Sequence, residues 1–214
     1  MTEQPLVSIA IPAFNAEFFR GTLASAFAQD YPNLEIIVCD DSADGQIEAI
    51  CEALGKDAAG RLRYVRNPVR LGFARNLQAC LEQASGELIK FLCDDDMLLE
   101  SCIRRQARVL AQWQQVSMVI AQRMLCSADD ILLPTRALNS VIAPQSAVLI
   151  GTDLLASIAD NAPNLFGGLS HALFRRAQVT DFLAQLVLDG HGFAARLDLA
   201  LYACLLRRGH LASL

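Results

Sequence analysis

The chain has 214 residues, of which 53% are hydrophobic and 19% charged, and its 18 Lys and Arg against 23 Asp and Glu give a net charge of −5. This low charge and high hydrophobicity exclude intrinsic disorder, which requires the opposite composition. Because no basic run or stripe occurs, binding to nucleic acid through phosphate neutralisation is excluded as well.

A chain of this length usually forms one domain, and we expect a single domain over residues 1–214. The longest apolar stretch, Ser140–Gly151, contains Pro144 and is too short to span a bilayer. The first residues carry neither the positive flank nor the apolar core of a signal peptide. We therefore expect a cytoplasmic protein, with any membrane contact peripheral and at the inner face.

The first 125 residues alternate between two patterns of hydrophobicity. Short apolar runs predict strands at Leu6–Ile11, Glu35–Cys39, Leu62–Arg66, Leu88–Cys93 and Met118–Leu125. Segments with helical spacing predict helices at Ala16–Gln29, with Asn15 as the N-cap, and at Ile47–Leu54, Phe73–Gln83 and Leu99–Gln115. This alternation is typical of an α/β fold with a mostly parallel sheet flanked by helices.

The remaining residues follow a less regular pattern. Helices are predicted at Thr152–Ile158, Gln178–Leu188 and Leu197–Arg208, separated by loops and possible short strands. We expect residues 1–100 and residues 126–214 to form two halves of this domain, the second less regular than the first. Lys90 interrupts the fourth predicted strand, and its flexible stem suggests an edge position from which the ammonium reaches solvent.

Acidic residues follow two of the predicted strands. Asp40, Asp41 and Asp44 come after the second strand, and Asp94–Asp96 come after the fourth. Ligands of parallel sheets bind beyond the carboxyl ends of the strands, so both clusters should meet at one edge. The first cluster could simply form a turn, and one residue of the second could cap a helix. Three adjacent carboxylates, however, are better explained by a hard divalent cation, Mg²⁺ or Mn²⁺.

Other phosphate-binding motifs are missing from the sequence. Neither a G-x-x-x-x-G-K-[ST] loop nor a G-x-G-x-x-G turn after the first strand occurs, which excludes P-loop NTPases and NAD-dependent dehydrogenases. The segment after the first strand, Pro12–Asn15, is neither glycine-rich nor basic. A nucleotidyltransferase is therefore disfavoured too.

Two long segments carry a family resemblance. The run VSIAIPAFNAEFFRGTLASAFAQDYPNLEIIVCDDSADG and the run GFARNLQACLEQASGELIKFLCDDDML together resemble family 2 glycosyltransferases, which have the GT-A fold. The resemblance is close over residues 6 to 100 and looser through ALFRR and LDLALYACLLRRG. It implies an inverting enzyme that transfers a sugar from a metal-bound nucleotide-diphosphate donor, most often a UDP-sugar, to a hydroxyl acceptor. The acceptor would be a glycan or a lipid-linked glycan in cell-envelope, O-antigen or exopolysaccharide synthesis.

The resemblance implies that residues 1–100 are a nucleotide-binding half and residues 126–214 an acceptor half. It also implies roles for individual residues. Asp95 would bind Mn²⁺ or Mg²⁺ at the diphosphate, with Asp96 beside it as a further metal residue or as a helix cap. Asp41 would accept a hydrogen bond from the base, supported by Asp40. The implied nucleotide-binding residues are Pro12, Ala13, Asn15, Asp40, Asp41, Arg75 and Asp94. Arg75 could instead be a solvated helix residue, although its place in GFARN favours contact with the donor.

The sequence departs from the family pattern near the expected catalytic base. Arg196 stands where the first Asp of that segment is expected, and an arginine cannot deprotonate a hydroxyl group. Asp198 is retained and is the candidate base, with Asp189 and His191 as alternatives. Asp198 could equally be a favourable charge at a helix N-terminus. The departure leaves open a second class of function, a nucleotide-sugar-binding module with weak or no transferase activity.

Two smaller departures remain. Cys93 occupies the first position of the family's acidic stretch, which leaves three consecutive aspartates shifted by one position. The chain stops at Leu214, shortly after Gly209, where family members usually continue. We therefore expect it to be truncated or to be one domain of a larger protein.

Overall fold

The computed structural model describes residues 4–56, 60–129, 131–133, 143, 145–159, 167–179 and 197–214. The strands are β1 Val7–Ala13, β2 Leu34–Asp40, β3 Leu62–Arg66, β4 Leu88–Phe91, β5 Val116–Ile120, β6 Ala147–Leu149, β7 Ala172–Arg175 and β8 His210–Ser213. The helices are α1 Phe19–Phe27, α2 Gln46–Gly55, α3 Phe73–Gln83, α4 Cys102–Gln112, α5 Gly151–Ala159 and α6 Leu197–Leu206. Two 3₁₀ turns, Leu169–His171 and Arg176–Gln178, flank β7.

The strands of these ranges form a single mixed sheet in the order β3-β2-β1-β4-β7-β5-β8-β6. Strands β1 to β4 pair in parallel, and β5 pairs in parallel with β8. Strand β7 runs antiparallel between β4 and β5, and β6 runs antiparallel to β8. The predicted α/β class with a mostly parallel sheet is confirmed.

Both faces of the sheet are covered by helices, which explains why the strands are almost entirely apolar. On one face Ile9 and Ile11 pack in a core with residues of α1, α2 and α4. On the other face Ala10 and Ile37 pack with residues of α3 and α6. Alternate residues of β1 therefore enter two separate cores, as the pleat of a strand requires.

Helix α1 begins later than the sequence predicts, and Asn15 is not its N-cap. The N-cap is Phe18, which makes no side-chain capping bond. Asn15 Oδ1 instead accepts a hydrogen bond of 3.0 Å from the Glu17 amide in the turn before the helix. Helix α4 is shorter than predicted at both ends, and β5 begins two residues and ends five residues earlier than predicted.

The prediction for Lys90 is wrong. Strand β4 lies between β1 and β7 in the middle of the sheet, and the Lys90 side chain is fully buried, with 0% exposure. The ammonium cannot reach solvent because α4 covers this face, where Gln106 accepts a hydrogen bond from it.

In the C-terminal part, β7 and β8 were not predicted as strands, whereas α5 and α6 confirm two predicted helices. The predicted helix Gln178–Leu188 lies outside the described residues except for its first two positions. No helix in the described ranges has both the length and the apolar character needed to cross a bilayer.

Candidate functional site

The candidate site lies at the carboxyl ends of β1, β2 and β4, which we call the carboxyl edge. Ala13 and Asp40 are register partners at the ends of β1 and β2. The Asp41 amide donates to the Ala13 carbonyl at 2.9 Å, and Leu92, just beyond β4, donates to the Ala10 carbonyl at 3.0 Å. Both predicted acidic clusters therefore flank the end of β1, as the parallel topology requires.

Asp94 fixes the loop that follows β1. Its Oδ2 atom accepts hydrogen bonds of 2.7 Å from the backbone amides of both Phe14 and Asn15. Its own carbonyl accepts a hydrogen bond of 3.0 Å from the Thr22 hydroxyl on α1. One carboxylate thus joins the loop after β4 to the loop after β1, while Pro12 and Ala13 are buried just before that junction.

The other two carboxylates of the acidic turn, Asp94–Asp96, point to solvent. Asp95 and Asp96 are both exposed. Desolvation raises the pKa of the Asp95 carboxyl, and the charges of Asp96 and Asp94 raise it further. This concentration of negative charge fits a hard divalent cation.

The acidic turn does not by itself form a complete cation cage. In the described ranges, no group of three or more His, Cys, Asp or Glu side chains is arranged to hold a metal ion. Mg²⁺ sites commonly combine one or two carboxylates with phosphate oxygens of the substrate. The exposed carboxylates of Asp95 and Asp96 have the chemistry that such a shared site requires.

Asp40 is buried, with 1% exposure, and both of its oxygens accept hydrogen bonds. The Ser42 amide donates to Oδ1 at 2.8 Å, and the Tyr64 hydroxyl donates to Oδ2 at 2.7 Å. Burial, and then this bond to Asp40, raise the pKa of Tyr64. Asp40 therefore joins the start of the loop after β2 to Tyr64 on β3.

Asp41 holds the loop of residues 67–72 through three donors. Its Oδ1 accepts from the Leu71 amide at 2.7 Å and from Asn67 Nδ2 at 3.0 Å, and its Oδ2 accepts from the Gly72 amide at 2.8 Å. Gly72 has a φ of +79°, a backbone conformation that side-chain-bearing residues rarely adopt. Asp41 is 6% exposed, and a carboxylate offers about four acceptor positions, so one remains for a ligand.

An exposed aromatic ring lies at the carboxyl edge. Phe14 is 48% exposed, and the guanidinium of Arg70 lies 4.4 Å from the centre of its ring. Phe14 stands in the loop held by Asp94, and Arg70 stands in the loop held by Asp41. Neither residue was predicted from the sequence. The signal that could have identified Phe14 is an aromatic side chain directly after a buried strand and beside an acidic cluster.

Asn76 is a second residue that the sequence analysis missed. It is buried on α3, where its Nδ2 donates to the Cys39 carbonyl at 2.9 Å and to the Ala13 carbonyl at 3.3 Å. Its Oδ1 accepts from Asn67 Nδ2 at 2.9 Å. Asn76 thus ties the ends of β1 and β2 to the 67–72 loop.

The preceding residue, Arg75, is exposed and has no hydrogen bond or ion pair within the described part of the chain.

Asp198 lies in the first turn of α6. Its Oδ1 accepts a hydrogen bond of 2.8 Å from the Leu199 amide, as a favourable charge at a helix N-terminus does. Burial is the largest cause that raises the pKa of Tyr202, and the charges of both Asp198 and Asp96 raise it further. Asp198 and the acidic turn therefore both act electrostatically on Tyr202. Arg196 and the alternative bases Asp189 and His191 lie outside the described residues.

Two solved structures show this architecture. S. aureus TarS in complex with UDP-GlcNAc superposes with a TM-score of 0.71, at 17% identity over 98% of this chain and 56% of that one. The mannosyltransferase PcManGT from Pyrobaculum calidifontis, in complex with GDP-Man and Mn²⁺, superposes with a TM-score of 0.59, at 22% identity over 85% of this chain and 47% of that one. The predicted GT-A fold is confirmed.

The model of glycosyl transferase family 2 matches residues 8–177, and the chain belongs to that family. It is 36% identical over 101 residues to the GalNAc(5)-diNAcBac-PP-undecaprenol beta-1,3-glucosyltransferase of Campylobacter jejuni, covering 46% of this chain and 32% of that protein. It is 32% identical over 107 residues to the UDP-Glc:alpha-D-GlcNAc-diphosphoundecaprenol beta-1,3-glucosyltransferase WfgD of Escherichia coli, covering 49% and 41%. The matches span less than half the length of these curated relatives.

Proposed function

We propose that the site transfers a hexose from a UDP-sugar, bound with Mn²⁺ or Mg²⁺, to a hydroxyl group of a lipid-linked glycan, with inversion at the sugar. The observation that carries this proposal is the acidic turn: Asp94 locks the loop after β1, while Asp95 and Asp96 remain exposed beside it. A rigid loop next to uncompensated carboxylates suits a diphosphate held through a cation.

The nucleoside would lie between the loops after β1 and β2. The exposed ring of Phe14 offers a flat surface for a base, and the free acceptor position of Asp41 suits a base N–H. Pro12, Ala13 and Asn15 would line the pocket, with Asp40 holding its wall. The exposed guanidinium of Arg75 would approach the donor, and the Asp94 carboxylate would lie near the ribose or the sugar.

The diphosphate would lie against the acidic turn. Asp95 would ligate the cation, with Asp96 beside it. A bound cation supplies neutralisation of the charge that develops on the departing diphosphate. The exposure of both carboxylates supports this assignment, since a ligand shared with the substrate must be open to it.

Asp198 would act as the base that removes the proton from the acceptor hydroxyl. Its support is its surroundings: the charges of Asp198 and of Asp96 in the acidic turn both raise the pKa of the buried Tyr202. The acceptor class follows from the two curated relatives, both named as glucosyltransferases of undecaprenyl-diphosphate-linked glycans. Such an acceptor would bring the protein to the inner face of a membrane.

Calorimetric titration of UDP tests the donor site. We expect the wild-type chain to bind UDP in Mn²⁺ and to lose that binding in EDTA, and Asp95→Ala to abolish the metal-dependent part. The matched control is Glu52→Ala, which removes one negative charge from an exposed position of α2. Failure of UDP, GDP and dTDP to bind under any metal condition would refute the donor site. Binding without release of sugar to any acceptor would favour a nucleotide-sugar-binding module.

A further inference from the structure

Lys90 and Gln106 form a fully buried polar pair between β4 and α4. Both side chains have 0% exposure. Lys90 Nζ donates to Gln106 Oε1 at 2.9 Å and lies 3.8 Å from Cys102 Sγ. Across the described ranges, no carboxylate forms a salt bridge with this ammonium, and its hydrogen-bond partners are the neutral groups of Gln106 and Cys102. A cation buried in this way costs stability that an aliphatic residue at the same position would not.

Lys90 and two backbone carbonyls together fix the orientation of the Gln106 amide. An ammonium can only donate hydrogen bonds, so the amide must turn its oxygen towards Lys90 and its nitrogen away. The nitrogen, Nε2, then donates to the Val119 carbonyl on β5 at 2.9 Å and to the His171 carbonyl at 2.8 Å. The pair therefore ties β4 and β5 to the residue that precedes β7.

His171 closes a short turn, Gly168–His171, that we call the hub turn because both halves of the candidate site contact it. The Ser170 hydroxyl accepts a hydrogen bond of 2.9 Å from the amide of Cys93, the residue directly before the acidic turn. The Gly168 carbonyl accepts a hydrogen bond of 2.5 Å from the Tyr202 hydroxyl on α6. The hub turn thus joins the acidic turn to the helix that carries Asp198.

We infer that Lys90 and Gln106 are positioning residues for the proposed transfer: they fix the hub turn, and the hub turn sets the placement of the Asp198 helix relative to the acidic turn. This inference rests on the proposed function. Neither residue touches the donor or the reacting atoms. The contacts proposed for the nucleoside run through Phe14 and Asp41 and not through Gln106, so the pair governs turnover rather than nucleotide affinity.

The test uses the double variant Lys90→Met/Gln106→Leu. Replacing both partners with apolar side chains of similar shape leaves neither side chain buried and unpaired. The His171 carbonyl loses its bond from Gln106 but keeps the one from the Ala121 amide at 3.3 Å. The matched control is Gln112→Leu, the same substitution at an exposed position of α4. Three quantities are measured on each protein: hydrogen exchange of the amides of residues 169–172, the Kd of UDP with Mn²⁺, and the kcat for hydrolysis of UDP-glucose.

In the double variant we expect the hub-turn amides to exchange about tenfold faster. We expect kcat to fall by about tenfold or more, since small misplacements of reacting groups have effects of this size. The Kd of UDP stays within about twofold of the wild-type value, and the control changes none of the three. Unchanged exchange, unchanged kcat, or a Kd that rises by the same factor as kcat falls would each overturn the inference.

A second variant and a measurement without donor keep the inference testable. If the double variant does not fold, the same three measurements are made on Lys90→Met alone, because the Gln106 amide then loses the ammonium that holds its oxygen. If the wild-type chain binds no UDP, the proposed function fails. The hydrogen-exchange measurement needs no donor, so it still decides whether Lys90 and Gln106 fix the hub turn.

Discussion

The Arg70 guanidinium lies over the ring of Phe14, 4.4 Å from its centre, and a different carboxylate holds the loop of each residue. Asp94 accepts the Phe14 amide, and Asp41 accepts the Leu71 amide next to Arg70. Two loops that follow different strands thereby present one stacked pair at the carboxyl edge. This surface is the part of the site best suited to a flat ligand.

Phe14→Ala is expected to weaken UDP binding, since stacking of a base on an aromatic side chain contributes about 1–3 kcal/mol. A loss of about tenfold in affinity, measured by calorimetry with Mn²⁺, corresponds to the lower part of that range. Phe14→Tyr keeps the ring and should bind UDP as the wild type does. Inorganic diphosphate has no base, so its affinity should not change in Phe14→Ala; an equal loss for diphosphate would place Phe14 outside the base site.

Asn76→Leu is expected to destabilise the fold as well as the site. The substitution leaves the Cys39 carbonyl without its side-chain donor and removes the acceptor of Asn67. An unsatisfied buried polar group costs about 1–3 kcal/mol, which urea denaturation would detect as a lower midpoint. Gln78→Leu on the same helix serves as the control, since among the described residues its side chain bonds only to Glu82. Equal midpoints for the two variants would contradict the role of Asn76.

Sequence patterns predict the parts of this fold that local composition determines. Strand β3 and helix α3 have the bounds that the apolar periodicity predicts. The acidic segments after β2 and β4 lie at one edge because parallel strands must align their carboxyl ends. Lys90 could not be placed in this way, since its burial depends on β4 lying between β1 and β7, a pairing of residues far apart in sequence.

The details of the site depend on contacts that leave no trace in local sequence. Asn15 resembles an N-cap, but its amide donates to Asp94, 79 residues further on, and the helix begins only at Phe19. Two of the three donors to Asp41 are backbone amides, at Leu71 and Gly72. A backbone amide is common to nearly every residue type, so the sequence could not predict these bonds.

The stability of the protein is expected to depend on Lys90 at alkaline pH. Burial lowers the pKa of Lys90 below its ordinary value of 10.5, so the unfolded chain binds this proton more strongly than the folded chain does. The free energy of unfolding therefore rises with pH between the folded pKa and 10.5, and the contribution is constant below the folded pKa. Urea denaturation of the wild type and of Lys90→Met at pH 7 and at about pH 9.5 isolates this contribution, because the other titrating groups are common to both. The free energy of unfolding of the wild type minus that of Lys90→Met should be larger at about pH 9.5 than at pH 7. If this difference stays constant, Lys90 does not titrate in this interval.

Gly86 lies at the opposite end of the sheet from the candidate site, before β4, and its lack of a side chain is a packing requirement. A Cβ atom there would lie 2.6 Å from the Ser8 amide nitrogen and 2.9 Å from the Leu6 carbonyl oxygen, both rigid backbone atoms of the neighbouring chain segment. The Gly86 amide also donates to the Ser8 hydroxyl at 2.8 Å and to Glu35 Oε1 at 2.9 Å, so the backbone cannot move away without breaking these bonds.

Gly86→Ala is therefore expected to lower the free energy of unfolding by about 1–3 kcal/mol, the usual cost of overpacking. The matched control is Gly45→Ala before α2, where a Cβ would meet nothing within 4 Å and φ is −96°. Thermal unfolding of both variants measures the difference. Because Gly86 lies away from the carboxyl edge, the folded Gly86→Ala protein should keep the wild-type Kd for UDP; a weaker Kd in the folded variant would mean that strain between β1 and β4 reaches the loop held by Asp94.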